Sequence, residues 1–93
     1  DQRVIGAFLD SHDQNLVKAT VERYAKNIGL GRRLRLLEHS DKDIRIMAVK
    51  SLEGINDLAG LKIIIDYHNK EKDPDVRKVY YDTFWVIREH HSR

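Results

Sequence analysis

The sequence predicts an all-α fold, an α-solenoid of three helical hairpins and six helices. Two observations lead to this prediction. A short aspartate-rich string occurs three times along the 93 residues, which indicates an internal repeat. Apolar residues around each string recur with the period of a helix rather than with the alternation of a strand. The chain has one proline and five glycines, so few positions interrupt long helices.

The recurring strings begin at Asp13, Asp41 and Asp73 and run DQNLV, DKDIR and DPDVR. They start 28 and 32 residues apart, and the difference is about one helical turn. Each string predicts a helix start, because an N-cap aspartate accepts a hydrogen bond from a free backbone N–H. Pro74 then falls at the first helical position, where its missing N–H costs no hydrogen bond.

Apolar residues after each string predict the buried stripe of the second helix in each hairpin. In the second and third hairpins they stand at the same offsets: Ile44, Ala48, Ser51, Leu52 and Ile55, then Val76, Tyr80, Thr83, Phe84 and Ile87. The first hairpin follows the pattern least closely, with Leu16, Thr20, Arg23, Tyr24 and Ile28.

A second apolar pattern precedes each string and predicts the first helix of each hairpin. Its members are Val4, Ile5, Phe8 and Leu9, then Leu30, Leu34, Leu36 and Leu37, then Leu58, Leu61, Ile64 and Ile65. We expect Asp57 to cap the third of these helices and the extra turn to lie in 67–72. The run 63–65 also permits a short strand, although its neighbours lack strand alternation.

Length and composition limit the classes of protein. We expect one domain over 1–93, with repeats at about 1–28, 29–56 and 57–91. The chain begins at Asp1 rather than Met, so the array is expected to be either a fragment of a longer protein or a processed product. No cysteine is present, which excludes disulfides and cysteine-ligated metals. No apolar run approaches the roughly 20 residues of a membrane helix, and we expect a cytoplasmic location unless a signal or anchor was removed.

The charge balance makes nucleic acid an unlikely partner. Lysine and arginine number 17 against 15 acidic residues, for a net charge of +2. The two halves of the chain show no basic tail or acidic block. Nucleic-acid modules usually concentrate positive charge on one surface.

The strings at Asp41 and Asp73, with Ala48 and Leu52 behind the first of them, resemble the HEAT-repeat family. The resemblance is to the short prokaryotic HEAT-like type related to phycobilisome lyase subunits and covers essentially the whole chain. It implies stacked hairpins whose second helices line a concave binding face. Val17 departs from the pattern by replacing its arginine. Tyr80 replaces a small residue and is expected to push the last hairpin apart or to mark a terminus.

The candidate interaction surface follows from that resemblance and from the last helix. Tyr81 and Trp85 form a second apolar stripe beside the buried one, as expected for a helix covered on several sides. Trp85 either packs on the preceding repeat, or is covered by a further repeat that follows in a longer parent protein, or belongs to an exposed aromatic patch that binds a partner or a second copy. The candidate residues are Tyr81, Trp85, Arg45, Arg77, Lys50 and Lys78. Pairing of the two arginines with the aspartates of the recurring strings, across adjacent repeats, is the alternative to ligand binding.

Arg32, Arg35 and His39 share one face of the third predicted helix and form a basic stripe. It indicates either a solvated helix face or an acid-binding patch. The five histidines lack the i, i+4 spacing that places two ligands on one helix face. We therefore expect no metal site and no cofactor, and no catalytic constellation is recognisable.

These observations predict a non-catalytic protein-interaction or scaffold module. The expected partner is another protein, with a homo-oligomer through the last helix as one possibility. Two alternatives remain open at this point. One is a nucleic-acid-binding domain similar to HEAT-like DNA glycosylases, and the other is an accessory subunit of a chromophore-lyase-like system.

Overall fold

A computed structural model describes residues 2–55 and 58–91, with the side chain of residue 91 left out. Within these ranges the chain forms six α-helices and no strand. The helices are α1 (Gln2–Leu9), α2 (Gln14–Tyr24), α3 (Leu30–Leu36), α4 (Lys42–Ser51), α5 (Leu58–Lys70) and α6 (Pro74–His91). Short 3₁₀ turns at Ala25–Asn27 and Leu52–Gly54 follow α2 and α4. The predicted all-α class is confirmed, and residues 63–65 are helical.

The N-caps predicted at the three recurring strings are present. The Asp13 carboxylate accepts backbone N–H bonds of 3.0 and 3.3 Å from the first turn of α2. Asp41 accepts two at 2.8 and 3.2 Å from α4, and Asp73 accepts two at 2.8 and 3.3 Å from α6. Pro74 is the first residue of α6. The predicted cap at Asp57 lies outside the described residues.

The helices pack mainly on neighbours along the chain. Helices α1, α3 and α5 each pack on the helix that follows, and α4 lies between α2 and α6. The described chain measures 36 × 28 × 17 Å. Its core is aliphatic, and the side chains that no solvent reaches are Val17, Ile44, Ala48, Val49, Leu52, Val76 and Ile87. Each large aliphatic side chain buried in this way contributes roughly 1.5–3 kcal/mol.

Tyr80 occupies the space between α5 and α6 that the resemblance assigns to a small residue. Its side chain is buried, and its ring meets the ring of His68 edge to face, with 6.3 Å between centroids. The additional length of α5, which continues to Lys70, supplies His68 as this neighbour. Helices α5 and α6 pack directly on each other around this ring.

Lysines, not arginines, join the recurring strings of successive hairpins. The ammonium group of Lys18 lies 3.6 and 3.4 Å from the carboxylates of Asp41 and Asp43. Lys42 likewise contacts Asp73, at 3.6 Å, and Asp75. The predicted pairing of these aspartates with arginines is therefore wrong.

Both arginines bind backbone carbonyls inside their own hairpins, and Arg45 also donates to Glu71 of the following hairpin at 2.9 Å. Arg45 donates to the carbonyls of His39 and Ser40 at 2.9 and 3.1 Å, and Arg77 donates to those of His68 and Glu71 at 3.2 and 2.9 Å. The carbonyls of His39 and Ser40 lie in the loop that follows α3, and those of His68 and Glu71 lie at the C-terminal end of α5, where helix carbonyls lack intrahelical partners. In the first hairpin the equivalent residue, Val17, packs in the core instead.

Candidate interaction surface

The most exposed aromatic side chains of the described chain stand together on α6. The cap at Asp73 fixes the helix so that Val76, Tyr80 and Ile87 face the core, and Tyr81 and Trp85 then project from another side. Tyr81 is 60% exposed and Trp85 is 47% exposed. Their ring centroids lie 6.2 Å apart at an interplanar angle of 70°, a favourable edge-to-face geometry.

Ile65 on α5 extends this surface and is 48% exposed. We call Ile65, Tyr81 and Trp85 the aromatic face. An apolar groove of about 150 Å³ lies between the two helices. Its lining consists of Ile64, Ile65, His68, Tyr80, Tyr81 and Phe84. An amphipathic partner could insert an apolar side chain there, because large apolar anchors in pockets dominate binding energy at protein interfaces.

Trp85 is held in position by its neighbours on the same helix. The Phe84 ring meets it edge to face at 5.5 Å, and the Arg88 guanidinium lies 5.4 Å from its centroid, within cation–π range. Both of these contacts, like the one with Tyr81, come from α6 itself, and they orient the indole ring while leaving it half exposed. Preorganised aromatic side chains lose little conformational entropy on binding.

Residues equivalent to Tyr81 are buried in the two preceding hairpins, and the comparison accounts for its exposure. Tyr81 stands eight residues after the cap of its helix, as Val21 and Val49 do in α2 and α4. Those two valines are 2% and 0% exposed. Val21 lies in the groove where α2 meets α4, beside Met47. The described part of the chain places no helix over the corresponding side of α6, so the same position is open there.

The other residues of the predicted surface are dispersed. Lys78 lies beside the aromatic face and pairs with Asp82 at 3.5 Å in an exposed i, i+4 contact, which contributes little. Lys50 is exposed near the groove between α2 and α4. Arg45 and Arg77 belong to the hairpin connections, so the structure does not unite all six residues in one site.

The basic stripe is brought together but is partly neutralised. Arg32, Arg35 and His39 line a depression of about 160 Å³ with Leu9, Asp10 and Leu36. The Arg32 guanidinium lies 3.5 Å from the Asp10 carboxylate. His39 accepts the backbone N–H of Asp41 through Nδ1 at 3.0 Å. The Asp10 carboxylate therefore neutralises part of the positive charge of this depression.

A polar cleft that the sequence did not predict lies between the second and third hairpins, with a volume of about 370 Å³. At its wall Arg45 Nε donates to Glu71 at 2.9 Å, and both side chains are largely buried. Burial, and then the negative charge of Glu71, raise the pKa of Tyr80 well above its ordinary value of 10.0. Tyr80 is therefore neutral at physiological pH, and the cleft offers hydrogen-bonding groups.

Arg33 is also bound to backbone rather than offered to a ligand. Its guanidinium donates to the carbonyls of Ile28, Ser51 and Ala25 at 2.9, 3.0 and 2.6 Å. It thereby links α3 to the C-terminal ends of α2 and α4. Burial lowers the pKa of Arg33, although an arginine stays charged under all ordinary conditions.

Among residues 2–55 and 58–91, no group of three or more histidine, aspartate or glutamate side chains could hold a metal ion. No described helix has both the length and the apolar character required to cross a bilayer. Comparison with known proteins yields no matching family model, no matching curated protein and no matching solved structure.

Proposed function

We propose that this chain is a non-catalytic protein-binding module, a HEAT-like α-solenoid of three hairpins, whose aromatic face receives a helix of a partner. The observation that carries the proposal is the exposure of Tyr81 at a position that both preceding hairpins bury, with exposed Trp85 one turn beyond it. A helix is therefore the element whose shape this surface fits. The order of packing, with α4 between α2 and α6, supports the solenoid arrangement.

The distribution of charge supports a protein partner over nucleic acid. Lys18, Lys42, Arg32 and Arg45 each lie within 4 Å of a carboxylate. These pairs reduce the positive charge available to phosphates. The aromatic face itself is apolar, which matches the core of a protein interface better than a nucleic-acid groove.

Site-specific photocrosslinking tests the proposal. A photoreactive phenylalanine analogue at Tyr81 should capture a discrete protein from a lysate of the source cells, while the same group at exposed Lys26 should not. Excess unlabelled protein should abolish the capture, and excess Trp85→Glu protein should leave it intact. Equal labelling from both positions, or competition by the Trp85→Glu protein, would contradict a specific aromatic binding face.

Chromatography on heparin separates the nucleic-acid alternative. The chain should pass through at low salt. Retention that is lost as salt rises would instead indicate phosphate binding by counterion release, and it would favour the alternative function.

A further inference from the structure

The first and third hairpins expose apolar positions whose equivalents are buried where two hairpins meet. Phe8, Leu36 and Ile64 are equivalent positions in α1, α3 and α5. Leu36 and Ile64 are buried, whereas Phe8 is 39% exposed. The next residue along shows the reverse order: Leu9 and Leu37 are buried, whereas Ile65, its equivalent in the third hairpin, is exposed.

The first junction shows which way each position faces. Leu9 of the first hairpin and Leu36 of the second line one depression between them. The Leu9 position therefore faces the following hairpin, and the Phe8 position faces the preceding one. At the two ends of the stack, Phe8 and Ile65 are left without these neighbours in the described part of the chain.

The second helices repeat this division. Val21 of α2 and Met47 of α4 line one groove, so the Val21 position faces forward and the Met47 position faces backward. Tyr81 is the third forward position and is exposed. Ala19 is the first backward position, six residues after its cap as Met47 is, and it is also exposed.

We propose that the aromatic face binds the first hairpin of a second copy of this chain, head to tail. This inference rests on the proposed function and names the partner of the same surface. Ile65, Tyr81 and Trp85 of one copy would lie against an acceptor face on the next. That acceptor face is apolar and exposed, and it consists of Val4, Phe8 and Ala19. Val4 belongs with Phe8 because i, i+4 residues share one helix side.

The two end surfaces also carry opposite charges, with a lysine beside the aromatic face and an aspartate beside the acceptor face. Lys18, five residues after its cap, pairs with the cap Asp41 of the next hairpin. Lys78 stands at the same position in α6 and lies on the aromatic end. Asp13 caps α2 at the opposite end, and no lysine of the described residues pairs with it. A head-to-tail contact with the geometry of the first junction would bring Lys78 of one copy toward Asp13 of the next; the second junction instead uses Lys42, one residue after its cap.

Such a contact is heterologous, because different surfaces of the two copies meet. Each added copy leaves one free face at either end, so association continues into open chains unless the rotation closes a ring. A symmetric dimer through two aromatic faces would stop at two copies and would leave Phe8 exposed. The two arrangements differ in stoichiometry and in their dependence on Phe8.

Sedimentation velocity over a concentration series tests the arrangement with the wild-type chain, Phe8→Glu and Trp85→Glu. The small faces lead us to expect association on the order of 10–100 µM. Wild-type protein should grow beyond a dimer as its concentration rises. Each variant alone should remain monomeric over the same range, and an equimolar mixture should form a heterodimer that grows no further. This complementation follows because each variant retains the face that the other has lost.

Leu30→Glu supplies the control, because Leu30 is similarly exposed but belongs to the middle hairpin. It should associate as the wild-type chain does, and far-UV circular dichroism should show that all three variants are folded. Dimers of Phe8→Glu alone would overturn the proposal in favour of a symmetric contact. A monomeric wild-type chain would also overturn it, while capture at Tyr81 from the lysate would then still support the proposed function.

Discussion

Replacing Arg33 by methionine should destabilise the fold more than any comparable change on its helix surface. Methionine retains much of the aliphatic volume but removes all three hydrogen bonds to backbone carbonyls. A hydrogen bond from a charged group contributes about 1.5–3 kcal/mol. The site is only partly buried, and water can reach some of the freed carbonyls, so we expect a total loss of about 2–3 kcal/mol. The whole domain is stable by roughly 5–14 kcal/mol on the usual scale per residue.

Thermal unfolding followed by far-UV circular dichroism measures this loss. For a domain of this size, 1 kcal/mol corresponds to about 4–8 °C in Tm, so Arg33→Met should lower Tm by roughly 10–20 °C. Arg35→Met is the matched control, because Arg35 is exposed on the same helix, and its Tm should change little. Arg33→Lys should fall between them, since one ammonium group cannot reproduce the planar fork. Equal melting of Arg33→Met and Arg35→Met would refute the assigned role.

Three further predictions concern backbone space and ionisation. Gly31→Ala should stabilise the fold by about 0.5–1 kcal/mol. Gly60→Ala should destabilise it by about 1–3 kcal/mol, because a Cβ added at residue 60 would lie 2.5 Å from the Ile55 carbonyl oxygen. Urea denaturation of both variants measures these two free-energy changes. Backbone hydrogen bonds and a nearby lysine lower the pKa of Asp41 below 3.8. The ionised carboxylate therefore stabilises the fold above about pH 4, and this stabilisation is lost as pH falls through the folded pKa. The Tm of Asp41→Asn should depend less on acid pH than the Tm of the wild-type chain. Burial raises the pKa of Tyr80, so one of the four tyrosines should ionise late, together with unfolding above pH 10.0; tyrosinate absorbance during alkaline titration should lose this late step in Tyr80→Phe.

Local chemistry made the helix starts predictable. An aspartate before a helical apolar pattern favours the N-cap position, because its carboxylate accepts hydrogen bonds from the free N–H groups two and three residues later. Pro74 adds a fixed φ angle that suits the first helical position. These preferences act over one turn, and the structure confirms them at Asp13, Asp41 and Asp73. The order and spacing of the helices follow from them.

The partners of the charged residues could not be predicted in the same way. Arg45 and Arg77 occupy equivalent sequence positions, and this equivalence suggested a ladder with the aspartates of neighbouring hairpins. Their long side chains instead reach backbone carbonyls of the connection directly before their own helix, and Arg45 also binds Glu71 of the following hairpin. Lys18 and Lys42 form the contacts between the recurring strings from two different offsets. No repeat alignment pairs these lysines, because the contact depends on how far α2, α4 and α6 stand apart.

The exposed faces follow from comparing equivalent positions rather than from hydrophobicity alone. A repeat stack that ends in water needs polar residues on its outermost surface, since the apolar positions of its junctions have no neighbour there. The forward position of the second helices is valine twice and then tyrosine, and Trp85 stands one turn beyond it. A tyrosine can lie half in water, so its identity alone would permit a solvated end. Ile65 and Trp85 are large apolar side chains that gain less from contact with water than a tyrosine hydroxyl does, yet both are exposed. Phe8 on the first hairpin is exposed in the same way. In the proposed head-to-tail contact, Val4, Phe8 and Ala19 of one copy would cover Ile65, Tyr81 and Trp85 of the next, so one contact would bury the apolar residues of both faces.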